Sequence, residues 1–289
     1  MKVASDINQS EDIKSASAQL KEMLLKKSID VPILPETANK VMALTQDPES
    51  NAQQLSAVIQ SDPTIAGHVM RIANSSAYTP NSNLVSIQQA VTRLGMTEIG
   101  NIAFLTSVNS KIFKAPGYEK HIQIIWQHAL ATALWSKEVA RAMRSNVEAA
   151  FLCGLLHSIG RPVILQTIAE TEPTIGVLSD IQLDVLFTKF ESHYSQVVTT
   201  KWKLPETVAT AISYHKNFKS APTQPELAAT VAFSVQLASL MLNKASSKAD
   251  EDSLLQSPAL SLINLYPDEV ATLMNKKDIV KTAMSALSA

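Results

Sequence analysis

A chain of 289 residues, 46% hydrophobic and 18% charged, has enough apolar material for a substantial core and lies outside the composition range of disordered proteins. Its formal net charge of −1, with the two signs interspersed, excludes the overall field that gathers nucleic acid or an acidic membrane surface. The single cysteine, Cys153, rules out an intrachain disulfide framework; with a polar start and no uninterrupted apolar run of spanning length, the expected location is the cytoplasm.

Only seven glycines occur, so the chain has few of the residues that hairpins use to turn, and composition favours helix throughout. Residues 1–12 are expected to be a flexible leader, followed by a first amphipathic helix carrying Ile13, Leu20, Leu24 and Leu25. Pro32 and Pro35 stop it, because each denies its predecessor a helical conformation. A second helix runs from near Glu36 to Asp47-Pro48, and Leu55, Val58 and Ile59 mark a third. Asp62 is expected to cap a fourth, with Pro63 at its first position, Ile65, Val69, Met70 and Ile72 on its apolar stripe, and Asn74 and Ser75 ending it by bonds to nearby backbone. After a polar loop over residues 77–85, Ser86 and Gln89 read as a capping box, Gly95 as a left-handed stop, and Thr97 as the cap of a helix carrying Ile99, Ile102, Ala103 and Leu105.

Pro116-Gly117 closes this first lobe. A second lobe is expected to open with a long helix near residues 120–143, continue through 147–156, resume after His157-Ser158-Ile159-Gly160, and extend to residue 243. Lys244 to Gln256 has the composition of a solvated loop, and the remainder reads as short, weakly held helices. The expectation is an all-α, multi-helix array in two packed lobes: residues 13–117, residues 118–243, and a tail of loop and short helices over 244–289.

Chemistry rests on the six histidines, His68, His121, His128, His157, His193 and His215. A hydrolytic metal centre in a helical protein needs both imidazoles and carboxylates projected into one cavity, and spacing alone does not gather these six. No HExxH and no CxxC occurs. Isolated structural or surface histidines are the plain alternative.

Leu34-Pro35-Glu36, Ser61-Asp62-Pro63, Arg71-Ile72-Ala73-Asn74-Ser75 and Leu94-Gly95 resemble, in order and separation, the first lobe of the HDOD family. Trp126-Gln127-His128-Ala129, the run from Ala150 to Arg161, and Lys201-Trp202-Lys203-Leu204-Pro205 resemble its second, so the likeness covers about residues 28–218. The resemblance implies a bacterial signalling domain whose fold is similar to the helical HD phosphohydrolases. It also implies a pattern at the site: His128 and His157 match two of the histidines used by catalytic relatives. Ser158 stands where the paired aspartate belongs, and Val235 stands at the position aligned with the late aspartate.

A serine hydroxyl is a weak neutral ligand and valine is none, so no catalytic residue and no cofactor is expected. His193 and His215 resemble further histidines of metal-binding relatives; with His157 they form the alternative, a three-histidine site for a divalent zinc, iron or manganese ion. Arg161 matches a basic residue after the glycine, where a guanidinium binds a phosphate or simply flanks a helix. Gly160 is expected at a turn that needs unusual backbone angles.

Arg71, one turn before a helix exit, bonds terminal carbonyls, pairs with an acid, or meets an external anion. Trp126, Trp135 and Trp202 read as core anchors. The resemblance and the missing acids favour a non-catalytic regulatory module that binds a signalling protein partner or a small ligand, with dimer formation open. The competing functions are a metal-dependent phosphohydrolase drawing on Glu191 or Asp184, and a structural adaptor with a vestigial cavity.

Overall fold

The computed structural model describes residues 14–23, 25–26, 28–79, 84–108, 112–171, 177–243 and 245–288, and all regular elements among the described residues are helical. The expected leader of residues 1–12 lies outside them, as do Ile13, Leu24, Lys244 and part of the polar loop after residue 79. Residues 14–23 form α1, which buries Ala16 and Leu20.

Next come α2 (Glu36–Gln46), α3 (Ala52–Gln60), α4 (Pro63–Ala73), α5 (Ile87–Leu94) and α6 (Met96–Ser107). Their junctions follow local chemistry. Asp62 Oδ1 accepts from the amides of Thr64 and Ile65 at 3.0 and 3.2 Å, and Pro63 opens α4 without wasting a donor. Gly95, at φ +90°, ends α5 and starts α6.

Three expected caps turn out differently. The Asn74 side chain does not bond its neighbours: its Nδ2 donates to the Leu84 carbonyl at 2.9 Å and its Oδ1 accepts from the Leu84 backbone amide at 2.7 Å, a clamp across the loop. Ser86 does take the Gln89 amide, but Gln89 returns its oxygen to Val85 rather than to Ser86, so the box is half formed. Thr97 leaves its helix end uncapped because its hydroxyl donates to Glu148 at 3.1 Å, a tie between distant helices that local reading does not see.

The second half contains α7 (Glu119–Ala142), α8 (Val147–Leu156), α9 (Gly160–Thr171), α10 (Asp180–Lys201), α11 (Glu206–Tyr214), a 3-10 turn (His215–Ser220) and α12 (Pro225–Leu242). Helix α7 lies against α8 and α12, and α10 against α9 and α11. Glycine sets two of these approaches. A Cβ at Gly154 would meet the Ala133 Cα at 2.8 Å, and one at Gly160 would meet the Glu191 carbonyl at 2.5 Å. Gly160 is not in the left-handed region, so closeness of α10, not backbone angle, is what demands glycine there. Buried side chains form one continuous cluster, from Ala16 on α1 to Val280 near the C-terminus. Trp202 Nε1 crosses between the two halves to the Pro32 carbonyl at 2.8 Å.

The segment read as a solvated loop contains α13 (Lys248–Leu254). Its polar composition misleads because Ser247 and Asp250 make a capping box and only Leu254 is buried, a helix held by its end and one anchor. Then come α14 (Ala259–Ile263), α15 (Pro267–Met274) and α16 (Lys277–Ser288), the last two against α7. They are held more firmly than expected: Val270, Leu273 and Val280 are buried, and the Lys276 ammonium meets Glu138 at 2.7 Å. Two stretches, Val147–Glu170 and Pro225–Leu242, are long and apolar enough to cross a membrane, yet 78% and 50% of their most apolar windows are buried inside the fold, and the first is broken by the turn at His157.

Candidate functional site

Three of the histidines converge. His128 projects from the middle of α7, while His157 and His215 stand at the C-terminal ends of α8 and α11. The His157 ring lies 5.5 Å from that of His128 and 5.4 Å from that of His215, centroid to centroid. Both helix-end histidines are held the same way. His157 Nδ1 sits 2.8 Å from the Gly154 carbonyl and His215 Nδ1 2.8 Å from the Ile212 carbonyl, three residues back in each case. A carbonyl only accepts, so each Nδ1 carries the proton and each Nε2 is left as a lone pair. His128 is bonded through Nε2 to the Ser239 hydroxyl of α12 at 2.9 Å.

Burial keeps these rings neutral. His157 is pushed well below the ordinary imidazole value by desolvation and then by its two histidine neighbours. His215 is also lowered by burial. His128 is pulled down to about 4, by desolvation first and by the Arg161 charge second.

Beside the rings lies an ion triad. Glu191 on α10 is 1% exposed; Arg161 Nε is 3.0 Å from one of its oxygens, and the Lys216 ammonium pairs with the other. The Arg161 contact is ionic rather than well-aligned, since neither Nε nor that oxygen makes a hydrogen bond of good geometry. Arg161 also lies over the Phe187 ring, 5.1 Å from its centroid. Its charge acts on His128, His157 and His215 alike.

The expected residues therefore divide. His128, His157, His215 and Arg161 come together, with buried Ser158 next to His157 in the chain and half-buried Val235 on the same face of α12 as Ser239, one turn before it. His193 does not join them: it is exposed on α10, lining a separate depression with Tyr214 and Asn217, because it lies about 200° around the helix from inward-facing Glu191. The three-histidine set of His157, His193 and His215 is thus not assembled. Asp184 is exposed and also apart. Sequence reading missed Ser239 and Lys216; a serine on a polar helix edge gives no signal, whereas Lys216, adjacent to His215, gave one.

Ring spacing alone is compatible with a shared ion, and carbonyl-anchored imidazoles are how ligating histidines are commonly oriented. Charge is not compatible. Glu191 has both oxygens taken by cations, Ser158 and Val235 bring no negative charge, and the Arg161 charge acts on all three rings. Among the described residues, no group of three or more histidine, cysteine, aspartate or glutamate side chains is disposed to hold a metal. The donor set does not fit a hydrolytic divalent ion.

Comparison with known proteins gives a consistent picture. The family model of the HDOD domain matches residues 31–218. An HDOD domain protein of unknown function from Geobacter sulfurreducens has the same fold, with a TM-score of 0.73 at 20% identity, covering 95% of this chain and 99% of that one. A protein of Shewanella amazonensis SB2B provisionally named a metal-dependent phosphohydrolase superposes with a TM-score of 0.71 at 19% identity, covering 95% and 99%. One of Marinobacter aquaeolei VT8, provisionally named a signal transduction protein, gives 0.66 at 22% identity, covering 98% of this chain and 67% of that one. An uncharacterized curated protein of Treponema pallidum (strain Nichols) is 21% identical over 232 residues, and the match spans 77% of this chain but only 45% of that relative's length.

Proposed function

The chain belongs to the HDOD domain family, and from that premise we propose that it is a non-catalytic regulatory module of signal transduction, acting by binding a protein partner or a small signalling ligand. The observation that carries this reading is the triad of Arg161, Glu191 and Lys216 beside three neutral histidines. A hydrolytic centre uses a divalent cation to polarise water and anionic ligands to hold that cation. Here a guanidinium and an ammonium take the one buried carboxylate of the cluster, so the triad carries a net positive charge beside the rings, which opposes a divalent cation. What remains is a polar core: the His128–Ser239 bond ties α7 to α12, the Arg161–Glu191 pair ties α9 to α10, and Lys216 ties the 3-10 turn to α10. Such a core fixes the relative placement of the helices that carry it, as a binding module needs.

One observation favours the second reading, a metal-dependent phosphohydrolase. His157 and His215 present Nε2 lone pairs in the orientation metal ligands adopt, and Glu191 becomes available if Arg161 and Lys216 swing away.

A phosphodiesterase and nucleotidase panel supplemented with manganese, iron or zinc separates the two. The regulatory reading expects no turnover that depends on the cluster. Hydrolysis abolished by His157→Ala, in protein that remains folded, would establish the enzyme instead.

A further inference from the structure

On the opposite side of α7 from His128 lies a partly open cleft of about 840 Å³, lined by both polar and apolar side chains and within the size range of small-molecule sites. Its walls are the outer face of α4, which contributes His68 and Arg71, one face of α7, which contributes Gln123, Trp126 and Gln127, and the end of α16 at Leu287 and Ser288. His68 and Arg71, three residues apart, share a helix face, as do Gln123 and Gln127 at four residues. On α7 the face of Gln123, Trp126 and Gln127 is about 150° around from His128, so the two sites are separated by the helix itself.

Two features mark the cavity as more than a gap between lobes. Arg71 is exposed at the rim, and among the described residues its guanidinium has neither an ion pair nor a hydrogen bond, which leaves its donors free for a ligand in the cavity. The carboxylate in the same wall, Asp62, does not answer it, because Asp62 is engaged with the amides that start α4. Trp126 is also unlike the other tryptophans: Trp135 and Trp202 are buried in the core, whereas Trp126 is half-buried and faces the cavity.

We propose that this cavity binds a small organic phosphate of mononucleotide size, with Arg71 and His68 holding the phosphate, Trp126 stacking on the ring system, and Gln123 and Gln127 bonding to its polar edge. The chemistry of the lining selects each part. A guanidinium takes a phosphate through two parallel hydrogen bonds, a tryptophan face is tolerant of any flat base, and primary amides both donate and accept. Because Leu287 and Ser288 close one side, occupancy also bears on α16, which lies outside the residues matched by the family model. The site is distinct from the histidine cluster. It deepens the regulatory reading by naming a ligand class and rests on it for biological sense only.

The test is calorimetric titration of the full chain with AMP, GMP, adenosine and inorganic phosphate, using wild type, Arg71→Ala, Arg71→Lys, Trp126→Leu and His157→Ala. Each variant is first checked for unchanged helicity by circular dichroism. The expected result is saturable binding of at least one mononucleotide, weakened at least tenfold by Arg71→Ala, less by Arg71→Lys, weakened by Trp126→Leu, and unaltered by His157→Ala. Absence of binding to wild type at millimolar concentration, binding indifferent to Arg71→Ala, or inorganic phosphate binding as tightly as the nucleotides would each overturn the assignment. Hydrolysis of a nucleotide that requires His157 would overturn the non-catalytic reading while leaving an Arg71-dependent site intact, so the two failures are distinguishable.

Discussion

At the scale of single residues, buried charge tolerates little change. Glu191 is 2% exposed at its side chain, while Arg161 and Lys216 retain 33% and 42%, so removing the carboxylate leaves two cations that are only partly able to reach water. Glu191→Ala is therefore expected to cost about 2–4 kcal/mol, read as a lower urea midpoint, and Arg161→Ala less, because Glu191 keeps Lys216. The histidines give a pH signature with a definite sign. Folding holds His128 at about 4, His157 well below its ordinary 6.5 and His215 below it, and unfolding returns them to that value. Above pH 6.5 both states are neutral and the contribution is complete; as pH falls from 6.5 towards the folded values, the unfolded chain alone gains protons and stability is lost. Urea midpoints should drop between pH 7 and pH 5, with a shallower drop in His157→Gln. Equal midpoints at both pH values, or an unchanged slope in that variant, would contradict it.

At the scale of elements, glycine makes opposite predictions in two helices. A Cβ at Gly160 meets the Glu191 carbonyl at 2.5 Å and the Ser195 amide at 2.8 Å, both backbone, so Gly160→Ala must push α9 from α10 and is expected to cost at least about 1–3 kcal/mol in thermal or urea unfolding. Gly67, inside α4 with open space around it, is merely a poor helix former, and Gly67→Ala should stabilise by about 0.5–1 kcal/mol. Elements were the most legible level. The proline stops, the Asp62 cap and the limits of α8 can be read from adjacent residues, because each is decided by chemistry within one turn. What resists reading is any bond with a remote partner: Asn74 chooses Leu84, Thr97 chooses Glu148, and Gly160 answers to α10. The site shows the same division. His128, His157 and Arg161 were found through an ordered motif, and His215 through likeness to relatives, but only the rotation of α10 decides that Glu191 faces inward and His193 outward.

At the scale of the whole molecule, the buried cluster runs without a break from α1 to α16, and Trp202 and Thr97 add polar ties between the two halves. Unfolding followed by tryptophan fluorescence and by helical circular dichroism should coincide, since the fluorophores report on the second half and helicity on the entire chain. A separate earlier loss of helicity would show the halves to be independent. The central claim is that the ion triad of Arg161, Glu191 and Lys216 leaves this cluster unable to hold a metal. Its most direct test is the metal stoichiometry of chelator-treated protein re-equilibrated with zinc, manganese or ferrous ion and freed of excess, measured by mass spectrometry for wild type and His157→Ala. The account predicts far less than one equivalent for each ion and no difference between the two proteins; one tightly held equivalent in wild type that vanishes in His157→Ala would contradict it.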